Sequence, residues 1–152
     1  MKSIVLTLLG IISFSFSLGA QKQSVNSDVQ SGKKILVAYF SCTGTTEKVA
    51  NAIVEVTGGK PYKITPADPY TSADLNWKDK NSRSSREMSD EQSRPVLSGD
   101  VLNVKDYDIV FLGYPIWWNL CPRPINTFIE KYDWNICGNI VCVAVLCLRT
   151  RS

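Results

Sequence analysis

Residues 34 to 40 read KILVAYF, six apolar or aromatic residues in a row behind one lysine. A strand with one face in water alternates apolar and polar residues. A short unbroken run of β-formers fits a strand covered on both faces, as in a parallel sheet with helices on either side. Two later runs have the same character, YDIVFLGYP at 107–115 and GNIVCVAVLCL at 138–148.

Between them the period changes to that of a helix. After the first run, Val49, Ala50, Ile53 and Val54 recur on one helical face, and Gly58 and Gly59 end it. After the second, Ile125, Phe128, Ile129 and Tyr132 share a face, with Pro124 in the first turn, where its missing N–H costs nothing. KPYKIT, at 60–65, is a short strand, and the second run is expected to end near Leu112 in a turn holding Gly113 and Pro115. Residues 66 to 107 are polar and charged, which predicts a surface helix from near Ser72 to about Met88 and a long loop. The alternation of strand and helix describes an open α/β sheet. The 152 residues suffice for one such domain and not two.

The chain opens MKSIVLTLLGIISFSFSLGAQKQ: one lysine, an apolar run from Ile4 to about Leu18, then Gly19 and Ala20. This is the layout of a secretory signal peptide cleaved after Ala20. The run is short for a membrane span of ~20 residues. We therefore expect a leader over 1–20, a polar linker over 21–32 and one domain over 33–152, exported to the periplasm or secreted, with no stable membrane span after cleavage. Export would place five cysteines in an oxidising compartment, and their odd number leaves at least one unpaired.

Several chemistries are excluded. With no histidine, Ser-His-Asp and Cys-His catalysis and every histidine-containing metal site are absent. A formal charge of +3 with scattered lysines and arginines gives no footprint for nucleic acid.

Ligands of open α/β sheets bind beyond the carboxyl ends of the strands. Two loops occupy such ends. SCTGTT (41–46) offers backbone N–H groups and four hydroxyls at a helix N-terminus, with Gly44 allowing close approach. The loop suits an anion such as a phosphate; equally, Thr45 or Thr46 could simply cap the helix. The ATP-binding pattern G-x-x-x-x-G-K-[ST] is absent. A phosphatase loop starting at Cys42 would need arginine where Lys48 stands. In the second loop, YPIWWNLCP, Trp117 and Trp118 suit stacking on a flat ring, or packing against the long segment before the strand.

Together KILVAYFSCTGTTEKVANAI and YDIVFLGYPIWWNLCPRPINTFIEKYDW resemble bacterial flavodoxins, in particular exported flavodoxin-like proteins, over residues 33 to 134. The resemblance implies an open parallel sheet of order 2-1-3-4-5 with helices on both faces. It implies flavin mononucleotide (FMN) as cofactor, its phosphate held by Ser41, Thr43, Gly44, Thr45 and Thr46 and its ring lined by Pro115, Ile116, Trp117, Trp118 and Asn119. It further implies electron transfer to a redox partner protein or a small-molecule acceptor, with no catalytic acid or base.

The tail departs from this pattern. From about Asn135 it reads NICGNIVCVAVLCLRTRS, without the small, glycine-rich loop that covers the flavin's other side in the family. The fifth strand and last helix are expected to be missing, as after a frameshift or premature stop. The pocket would then lack its second wall and hold flavin weakly. The alternative function is a truncated, non-enzymatic flavodoxin-fold remnant with weak or no flavin binding.

Overall fold

The computed structural model describes residues 32–134 and 139–145. The expected leader, nearly all of the linker, and the chain beyond 145 lie outside the described residues, as do Cys137 and Cys147. Among the described residues six strands and three α-helices follow in order: β1 (Ile35–Tyr39), α1 (Thr45–Thr57), β2 (Lys60–Lys63), β3 (Thr65–Pro66), α2 (Arg83–Ser89), β4 (Leu97–Ser98), β5 (Ile109–Pro115), α3 (Arg123–Lys131) and β6 (Asn139–Val145). The main sheet is parallel throughout, in the order β2-β1-β5-β6. With the two-residue β3–β4 ribbon set aside, that is the expected 2-1-3-4 run of an α/β sheet.

Strand β1 shows why its sequence cannot alternate. Leu36 and Ala38, with Phe40 just beyond the strand, enter one core cluster with Ile125 and Phe128 of α3. Ile35, Val37 and Tyr39 enter a second, with Ala50, Ile53 and Val54 of α1. Successive side chains point to opposite faces, and both faces are dry, so every position must be apolar. β2, at the edge, is mostly exposed and carries two lysines and a proline, which discourage further pairing.

Three expectations are corrected. β5 does not stop at Leu112 but runs through Gly113 to Pro115, paired with β6 to its end. Proline, lacking an N–H, is tolerated at such a margin. Gly113 pairs within the strand with Tyr39 of β1 and Val143 of β6, and α1 passes over it, with Thr46 Cγ2 3.4 Å from where a Cβ would stand. In α3, Ile125 and Phe128 are buried, but Ile129 is 41% exposed; the apolar stripe is narrower than its spacing suggested.

The helix expected from Ser72 to Met88 is only Arg83–Ser89. Ahead of it the chain makes successive turns in which short polar side chains take the backbone donors: Asp74 accepts from Thr71 N–H (2.8 Å), Asn76 from Lys78 N–H (3.3 Å) and Asp79 from Asn81 N–H (2.8 Å). Such bonds compete directly with a helix. Ser82 then caps α2 by accepting from Ser85 N–H. The excursion is tied down at both ends. The β3–β4 ribbon closes it, and Arg123 donates to the Glu87 and Met88 carbonyls, each at 3.1 Å. No helix among the described residues is long and apolar enough to cross a membrane.

Candidate functional site

From β1 the chain crosses to β2 on one side, and from β5 to β6 on the other. Between β1 and β5 the winding reverses, and it is there that an open α/β sheet leaves a crevice. Both candidate loops follow these two strands, and they line one cavity of about 580 Å³. Ser41, Thr43, Thr45 and Thr46 come from the first loop and Pro115, Ile116, Trp117 and Trp118 from the second. The two remaining expected residues are not among those lining it: Gly44 stands at the start of α1, and Asn119 is exposed in a turn.

Gly44 is the N-cap of α1, in the left-handed region at φ 84°, and no side chain caps the helix. The reading in which Thr45 or Thr46 serves as N-cap is thereby removed. Ser41 Oγ instead accepts from the Gly44 N–H at 3.1 Å and shapes the loop. The positive end of a 13-residue helix faces this loop without a capping side chain. The first-turn acid, Glu47, is drawn to Tyr39 (3.0 Å from its hydroxyl) and Lys63 (3.2 Å). Its carboxyl is held below the usual range, chiefly by the Tyr39 hydroxyl and then by Lys63. Desolvation, then Glu47, pushes the Tyr39 hydroxyl up to about 12.

The second loop is a tight hairpin. Trp117 and Leu120 exchange both backbone hydrogen bonds, at 3.0 and 2.8 Å, across Trp118 and Asn119, whose φ angles are 47° and 63°. Two left-handed residues in succession are what a two-residue turn of this hand requires. Asparagine adopts that conformation readily; a bulky tryptophan rarely does. The turn splits the tryptophan pair. Trp117 packs edge-to-face on Phe40 (5.7 Å) and Tyr70 (5.4 Å), so it meets the long segment before the strand while still lining the cavity. Trp118 is left 46% exposed on the cavity wall.

Tyr70 is itself braced. Its hydroxyl donates to Glu87, and Arg83 lies 4.2 Å from its ring centroid while donating to Glu87 Oε1 at 2.7 Å. Desolvation, then the Glu87 carboxylate, holds the Tyr70 hydroxyl protonated far above the ordinary tyrosine range. Cys42 also lines the cavity. Although the residue keeps solvent contact, desolvation by the surrounding walls pushes its thiol up to about 12. It is a neutral thiol at pH 7 and not an activated nucleophile.

Sequence reasoning missed three further lining residues, Leu75, Trp77 and Ser84. Trp77 left a signal: a lone indole in a charged stretch with no apolar period to bury it.

Comparison with known proteins agrees with this architecture. The flavodoxin family model matches residues 34–146. A crystal structure of a candidate flavoprotein from Bacteroides eggerthii is 51% identical, with a TM-score of 0.73, over 76% of this chain and 72% of that one. One from Bacteroides uniformis is 50% identical at the same TM-score, over 77% and 74%. A flavoprotein of Lactobacillus acidophilus in complex with FMN shares the fold at 20% identity and a TM-score of 0.64, over 76% of each chain. No curated protein matches the chain.

Proposed function

The chain belongs to the flavodoxin family, and from that premise we propose that it binds FMN in the cavity between its two loops and passes electrons through it. The observation that carries the proposal is the meeting, in one cavity, of a helix N-terminus without a side-chain cap and a half-exposed indole. The first suits a dianion and the second a flat apolar ring. The cavity volume of about 580 Å³ lies within the range of about 300–1,000 Å³ usual for small-molecule sites.

The residues present fit the cofactor. First-turn N–H groups of α1 and the hydroxyls of Thr43 and Thr45 would hold the phosphate, with Gly44 letting the backbone come near. Trp118, Pro115 and Ile116 would lie against the ring and exclude water. A bound flavin supplies the electron transfer; the protein sets its potential through stacking, hydrogen bonds and nearby charge. The chain's own work is then to bind, orient and shield, which agrees with a sequence lacking histidine and with a protonated Cys42. The electrons would pass to a redox partner protein or a small-molecule acceptor. The leader-like first twenty residues support exchange outside the cytoplasm.

Titration with FMN, followed by quenching of flavin fluorescence, tests this. Saturable quenching at one site per chain is expected. A folded chain, checked by circular dichroism, that gives no quenching would leave the alternative of a flavodoxin-fold protein holding no flavin.

A further inference from the structure

Trp77 has no structural duty that accounts for its position. It is 57% exposed, and it belongs to neither core cluster and to neither group of residues packed against them. Yet it does not sit on a loose arm. The turns carrying it are held by Leu75 N–H to the Thr71 carbonyl (3.2 Å), Asn76 N–H to Ala73 (3.2 Å) and Asp79 N–H to Asn76 (3.0 Å). The segment is joined to α2 by Ser84 N–H donating to the Asp74 carbonyl at 3.0 Å, and Ser84 lines the same cavity as Trp77. An indole left exposed on a braced backbone, at the wall of a cavity, keeps apolar surface in water until a ligand covers it.

We propose that Trp77 is a ring-binding residue: its indole and that of Trp118, from separate segments of the chain, together hold the planar ring system in the cavity. The inference deepens the flavin reading and rests on its ring half, not on its phosphate half. It gives the cavity a second aromatic wall, from the polar segment ahead of β4. Lys78 lies with its ammonium 5.6 Å from the Trp77 ring centroid, so one approach to the indole already carries a cation. A second aromatic contact of this kind accounts for roughly a three- to tenfold gain in affinity.

The test compares wild type, Trp77→Ala and Trp77→Phe by equilibrium titration with FMN and with lumiflavin, which has the ring and no phosphate. Binding is read from flavin fluorescence and from the induced circular dichroism of the flavin bands. Trp77→Ala should weaken both ligands by the same factor, roughly three- to tenfold, and reduce the induced signal, while Trp77→Phe stays within about twofold of wild type. If lumiflavin shows this pattern but FMN binds no tighter than lumiflavin, the phosphate half of the proposed function falls and the Trp77 inference stands. If both ligands bind and Trp77→Ala equals wild type, the inference is overturned while the flavin reading survives. If the folded wild type binds neither, both are overturned.

Discussion

The phosphate-type loop is written in six consecutive residues, Ser41 to Thr46. The aromatic wall is gathered from Trp77, Trp117 and Trp118, with Phe40 and Tyr70 packed behind Trp117 and Arg83 and Glu87 bracing Tyr70. One half of the cavity relies on backbone geometry, which a short sequence can specify alone. The other relies on side chains brought together by the fold. Local recognition should therefore survive changes in distant packing, and assembled recognition should not.

Phe40→Ala strikes where the halves meet, because this fully buried ring adjoins Ser41 in sequence and packs on Tyr70 and Trp117 in space. A loss of about 3–5 kcal/mol in urea denaturation is expected. Ring affinity should fall further than phosphate affinity; equal losses would break the comparison. Paired Thr43→Ala and Thr45→Ala should weaken FMN roughly 10–100-fold, since each lost hydrogen bond is worth about 0.5–1.5 kcal/mol net and the backbone donors remain. Lumiflavin affinity should stay within about twofold, and a matching loss there would mean the halves are not separable.

Trp118→Gly should separate stability from binding. Relief of the left-handed tryptophan should raise the unfolding free energy by about 1 kcal/mol, while lumiflavin binds roughly three- to tenfold more weakly. A smaller effect is expected at Glu47. Its lowered carboxyl pKa adds stability above the unfolded value of about 4.3, and that contribution is lost as pH falls through the folded pKa. Glu47→Gln should flatten this part of the acid limb of a stability-versus-pH curve. Removing an anion from the first turn of α1 should also tighten FMN by less than about fivefold, an effect that fades with added salt.

The same division explains what could be read beforehand. β1, β5 and β6 were legible as unbroken apolar runs, and α1 and α3 as apolar positions at helical spacing. The loop residues 41–46 were legible for the same local reason. The stretch from Thr71 to Ser82 was not, since Asp74, Asn76 and Asp79 bind their own backbone, and no hydrophobic period reports such bonds. Trp77 lay in that stretch, so its place on the cavity depended on turns that spacing does not encode. Ile129 shows the converse: a correct helix and a plausible face, yet a residue turned to water.

The turn from Trp117 to Leu120 bears on time as well as on energy. It is closed by its own two backbone hydrogen bonds. A turn held by its own hydrogen bonds should have little left to order when a ring arrives, and capture should approach the rate at which molecules collide in a suitable orientation. Changes to the indoles should accordingly leave the arrival rate nearly constant and shorten the residence time of the bound ring.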